Sequence, residues 1–206
     1  MSFLKEQSVL AVGFLRSDFR RIVLRCAAAM SVFAGFGVVV GMSQPEVVEE
    51  ALSMFADIVE SAGVVGDDGS ISVFALLANN WQAMLVSVIY GLIPFLFLPM
   101  VSLFSNGFLI GVVIAWYYTQ GMSLPLLMAG LIPHGIFELP ALVISIACGI
   151  HLCRYMTQRI AGRTDQPLAE IAEDVLRMLV LVVAPLVVAA AFTECYVTPA
   201  VMSLFQ

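Results

Sequence analysis

Long stretches almost free of charge constrain this chain more than any other feature. Residues 22–42, 74–99, 107–118, 124–153 and 175–197 are predominantly apolar, and their only Asp, Glu, Lys, Arg or His residues are Arg25, His134, Glu138, His151, Arg177 and Glu194. A helix needs about 20 apolar residues to cross roughly 30 Å of hydrocarbon at about 1.5 Å each. Composition agrees: 61% of the 206 residues are hydrophobic and 12% are charged, where soluble domains average about 45–50% and about 25%. A water-soluble core of this size could not hide so much apolar surface. The expected fold is an all-α integral membrane helical bundle, a single membrane domain over residues 1–206, with the lipid bilayer as its solvent.

Residues 124–153 are too long for one crossing, since thirty residues would extend about 45 Å. Pro133 lacks a donor and suits the first turn of a helix, so the crossing is expected at 133–153. Residues 124–132 are then a short re-entrant or interfacial segment. The second crossing is read at 74–99 and the third from 107, after a break at 102–106. Together with 22–42 and 175–197 this makes five.

Basic residues support the count. All nine fall in two places: Lys5, Arg16, Arg20, Arg21 and Arg25 at the first crossing, and Arg154, Arg159, Arg163 and Arg177 before or at the last. The loop at 43–73 has no Lys or Arg but carries Glu46, Glu49, Glu50, Asp57, Glu60, Asp67 and Asp68. The positive-inside bias puts both basic segments, including the loop at 154–174, in the cytoplasm and the acidic loop outside. The expected location is the cell membrane, multi-pass, with the N-terminus cytoplasmic and the C-terminus extracytoplasmic.

Residues 1–21 mix apolar and charged positions and are expected as an amphipathic helix on the cytoplasmic surface. The run at 22–42 is longer than a signal-peptide core and is expected to remain as an anchor. Residues 45–62 read as a helix starting at Pro45, with Gly63, Gly66, Asp67, Asp68 and Gly69 breaking it. The acidic face there reads as solvated surface. Cys26, Cys148, Cys153 and Cys195 are too few and too scattered for a disulfide framework. A formal charge of −6 disfavours nucleic acid as a partner.

Ionisable groups inside a crossing are expensive and face a bundle interior, a cavity or a partner. His134 and Glu138 are four residues apart and share a helix face. Pro140 withholds the bond that the Ile136 carbonyl would accept. Glu138 is 16 residues from Arg154 and Glu194 is 17 from Arg177, about 24 and 26 Å along a helix. Two carboxylates from different crossings are therefore expected at similar depth, with no Lys or Arg in that layer. Asn79, Asn80 and Asn106 lie near crossing ends and extend the polar set.

A His with two Glu is a workable ligand set for zinc or another divalent cation. Three readings stay open: a structural hydrogen-bond cluster, a metal site, or a proton or ion pathway. His151-x-Cys153 reads as interfacial packing. Gly37-x-x-x-Gly41 and Gly107-x-x-x-Gly111 let backbones approach closely, either inside the bundle or in a homo-oligomer. Neither a serine-hydrolase elbow nor a phosphate-binding loop is present, and the H-E-x-x-H zinc motif is missing.

Pro133-His134-Gly135-Ile136-Phe137-Glu138, with Gly149 further along, closely resembles the stage II sporulation protein M family of multi-span membrane proteins. The resemblance includes Asn79-Asn80, Asn106-Gly107 with Gly111, and Ala190-Ala191-Phe192-Thr193-Glu194 followed by Thr198-Pro199. It covers roughly residues 74–199. What it implies is a non-enzymatic scaffold that gathers cell-envelope partners, with His134, Glu138, Glu194, Asn79, Asn80 and Asn106 as the important polar set. A sporulation role does not follow from the name alone, since relatives also occur in non-sporulating bacteria and in archaea. An ion or metal channel or transporter is the alternative, and an intramembrane metal-dependent hydrolase the third reading.

Overall fold

The computed structural model describes residues 3–61, 63–64 and 72–205. Gly66, Asp67, Asp68, Gly69 and the end of the 45–62 helix at Ala62 lie outside these residues. No strand occurs among the described residues, and five helical segments are long and apolar enough to cross a membrane. The protein is an all-α membrane bundle.

Helix α1 (Phe3–Arg16) and helix α2 (Phe19–Ser43) meet at an elbow. There the Ser17 hydroxyl accepts from the Phe19 amide at 3.2 Å. The amphipathic segment thus ends at Arg16 and the first crossing begins before residue 22. Helix α3 (Pro45–Ser61) follows, and Gly63 takes φ +62° just beyond it.

Helix α4 (Val73–Ile89) starts on a Ser72 cap and ends in a tight turn over Tyr90–Leu92. Helix α5 (Pro99–Thr119) comes next. The expected break at 102–106 is not there; the chain breaks at 93–98 instead. Pro94 and Pro99 lack the donors a continuous helix needs, whereas Asn106 and Ser105 fold back onto the Ser102 carbonyl at 2.8 and 3.2 Å. Small polar side chains are satisfied within a helix, so they do not end it. Phe95 and Phe97 take φ +67° and +47° in the break, a strained region for an aromatic residue. The segment is pinned to the helix at 124–160 by Phe95 N–H donating to Thr157 Oγ1 at 2.9 Å and Cys153 Sγ donating to the Ile93 carbonyl at 3.3 Å.

Helix α6 (Leu124–Ile160) corrects a second expectation. Residues 124–132 are not a separate re-entrant or interfacial piece; they are the first turns of one 37-residue helix with Pro133 and Pro140 inside it. Each proline removes one backbone bond, which a membrane helix tolerates when neighbours cover the freed carbonyl. By its rise α6 is about 55 Å long, so it must project beyond the hydrocarbon. Its extension to Ile160 also shortens the expected loop at 154–174, leaving a connection at 161–167 before helix α7 (Leu168–Met178).

The last crossing is not one regular helix. Two wider π turns, Leu179–Val183 and Thr193–Val197, separate α7 from α8 (Ala184–Phe192) and α8 from α9 (Thr198–Met202). Residues 141–149 of α6 are all buried. They form the central post, packed with Met84, Leu103, Val183 and Val187.

Glycines set the closest approaches. A Cβ on Gly37 would overlap the Phe108 carbonyl, and one on Gly111 the Ala34 carbonyl. Both small-residue stripes are therefore spent on the α2–α5 contact inside one chain, and a second copy would have to use another face. The four cysteines are free, and Cys26, Cys148 and Cys153 are buried.

Candidate metal centre

His134 and Glu138 project from the first half of α6, with His134 Nε2 3.9 Å from Glu138 Oε2. Glu194 arrives from the last crossing, within the π turn Thr193–Val197. Such single-turn bulges re-aim the side chains around them and recur at functional sites. One ligand atom from each of His134, Glu138 and Glu194 lies within 4.8 Å of the others. Tetrahedral zinc with bonds of about 2.1 Å holds its donors roughly 3.4 Å apart. The donors must therefore draw closer by up to about 1.4 Å to hold such an ion.

The other ring nitrogen, His134 Nδ1, is 3.4 Å from Thr198 Oγ1. Thr198 is buried at the start of α9. A hydroxyl in that position orients the imidazole and leaves Nε2 facing the carboxylates, the usual division of labour at a metal-bound histidine.

Among the described residues the His134 ring is the one basic group beside the two carboxylates. The side chains of His134 and Glu138 are only 17% and 30% exposed. Among the described residues, neither Glu138 nor Glu194 accepts a hydrogen bond, and no Lys or Arg comes within ion-pair distance of either. Half-buried carboxylates in such a place need a proton or a cation.

Two cavities meet at His134. One, of about 620 Å³, is lined mostly by apolar residues of α5 and α6 together with Asn106 and Glu138. The other, of about 470 Å³, contains Tyr117, Glu194 and Thr198. Asn106 thus joins the cluster's surroundings, while Asn79 and Asn80 line neither cavity. Asn80 is buried in α4 with its amide nitrogen unpartnered among the described residues, as are Ser145 Oγ and His151 Nε2. His151 lies edge-on to Phe14 and Phe19, with ring centroids 5.4 and 5.9 Å away.

Sequence reasoning assigned Thr198 and Tyr117 no part in the polar centre. Thr198 is four residues beyond Glu194, a spacing that could have suggested a shared face. Tyr117 stands between Trp116 and Tyr118 at the end of the third apolar run, and no local signal ties it to His134.

The profile of the family described as stage II sporulation protein M matches residues 26–199. The chain belongs to that family. Within the match lie all three members of the cluster and Thr198, so the stage II sporulation protein M region and the candidate centre coincide. An uncharacterized protein of Methanocaldococcus jannaschii is 34% identical over 127 residues, covering 61% of this chain and 70% of that protein. No solved structure matches closely enough to count as a relative.

Proposed function

We propose that this chain is a non-enzymatic membrane component that organises a cell-envelope assembly, with α6 and the last crossing braced by a divalent cation of the zinc type. His134, Glu138 and Glu194 are its ligands in this reading, and Thr198 orients His134. The observation that carries the proposal is the convergence of two carboxylates and an imidazole, from two crossings, with no Lys or Arg beside them and no hydrogen bond to either carboxylate among the described residues. A hydrogen-bond cluster would bring its own donors. The cation supplies charge neutralisation and a crosslink, and a three-ligand site leaves a fourth position open to water or a partner's side chain.

Orientation belongs to the same proposal. Both arginine-rich segments face the cytoplasm, which puts the N-terminus inside, and the cluster and C-terminus toward the outside. A centre in that half of the bilayer is within reach of envelope proteins.

Elemental analysis of protein purified after zinc supplementation tests the centre. The expected content is about one zinc per chain, lost in Glu138→Gln. Equal zinc in both proteins overturns the reading. Turnover of a substrate by the solitary purified protein would overturn the non-enzymatic part.

Ion passage is the second reading. Its support is the set of unpartnered buried atoms on Asn80, Ser145 and His151. Along α6, Ser145 and His151 follow Glu138 by about 10 and 20 Å toward the arginines. Zinc or proton flux into liposomes that disappears in the same Glu138→Gln variant would favour it over a static brace.

A further inference from the structure

At the arginine-bearing end of the bundle a third cavity has a different chemistry. A groove of about 340 Å³ runs between α2, the start of α5 and α6. Ala29 of α2, Phe97 before α5, Met100 of α5 and Ile150 of α6 form apolar walls over the buried Cys26 and Leu103, while Arg25 and Arg154 stand on the same lining. No Asp or Glu lines it. Among the described residues neither arginine has a carboxylate within ion-pair distance.

The surroundings reinforce the sign of the charge. A polar cleft of about 200 Å³ shares Ile22 and Arg154 with the groove and includes Asp18. That carboxylate is already engaged by Arg21 at 2.9 Å. Arg16, Arg20 and Arg21 gather around the α1–α2 elbow in a neighbouring cleft.

We propose that this groove holds one anionic phospholipid, its phosphate on Arg25 and Arg154 and an acyl chain along Ala29, Phe97, Met100 and Ile150. Basic pockets between crossing helices near a membrane surface suit acidic lipid headgroups. Arginine pairs with phosphate through several N–H groups at once. The apolar walls decide for a lipid over free phosphate, because a headgroup alone would leave them uncovered. Arg25 and Arg154 belong to different crossings, so a bound lipid ties α2 to α6 at the end opposite the carboxylate cluster.

The full-length protein in detergent micelles, supplied with equal phosphatidylglycerol and phosphatidylcholine and read by native mass spectrometry, tests this. Wild type is expected to retain phosphatidylglycerol selectively. Arg25→Gln with Arg154→Gln should lower that preference about thirty-fold, from about 1 kcal/mol for each arginine. Ala29→Phe keeps both charges but fills the groove, and should lower retention of both lipids. The Lys5→Gln with Arg163→Gln pair removes the same charge outside the groove and should leave selectivity intact.

An equal fall in that control pair would reduce the effect to diffuse surface charge and overturn the site. Displacement of the lipid by millimolar inorganic phosphate would make it a phosphate site instead. Helicity by circular dichroism reports whether each variant folds. Should Ala29→Phe fail to fold, the two charge pairs still decide the matter.

Discussion

The last crossing carries a charged group near each end, and the two are treated in opposite ways. Arg177, only 19% exposed, is fully matched: Nε donates to Gln7 of α1, and its terminal nitrogens donate to Asp174 and Glu173, all at 2.7 Å. That network clamps the amphipathic α1 against α7. Glu194, on the same crossing, has the His134 ring and the Glu138 carboxylate for neighbours and no donor of its own among the described residues. Completed polar structure looks like the first. An arrangement like the second asks for something from outside the chain, which is why it reads as a binding centre rather than a packing device.

Three measurements would break or sharpen that contrast. The largest effect is expected from zinc itself. At a hundred-fold excess over its dissociation constant it should stabilise the wild type by about 2.7 kcal/mol. The gain should vanish on chelation and be missing in Glu138→Gln with Glu194→Gln, read as a shift in thermal unfolding. No zinc dependence in wild type would put both ends of the crossing in the same class.

Arg177→Met comes next. Loss of three charge-assisted bonds at a partly exposed site should cost about 2 kcal/mol. Proteolysis should show α1 released, and the loss should be the same with and without zinc. The smallest effect concerns Thr198→Val, which keeps the shape but removes the hydroxyl beside His134. Zinc affinity should fall about ten-fold, with stability in the absence of metal changed little. A fall in metal-free stability alone would make Thr198 a packing residue.

Much of the fold was legible because it depends on local transfer energies. Any run such as residues 22–42 must leave water, whatever its neighbours. His134 and Glu138 were legible as a pair because four residues return a helix to the same face. The errors share one cause, the reading of a single residue as punctuation. Pro133 looked like a helix start, yet α6 runs through it, and Ala129, whose carbonyl it frees, is buried. Residues 102–106 looked like a break, yet the Ser105 and Asn106 side chains close onto the Ser102 carbonyl of their own helix. The real break at 93–98 was hidden in a run of Phe and Leu, and is held by Thr157 and Cys153 some sixty residues away.

The amino-acid order alone determined the number of helices able to cross a membrane, the gathering of arginine in two segments and the shared helix face of His134 and Glu138, since hydrophobicity and helical periodicity act along the chain. Only the tertiary structure decided that Glu194 turns toward His134, that Thr198 sits behind the imidazole, and that Gly37 and Gly111 meet inside one molecule. These outcomes depend on π turns and on helix rotation about the α6 post. Rotation is set by how whole surfaces pack, and no single stretch of sequence encodes it.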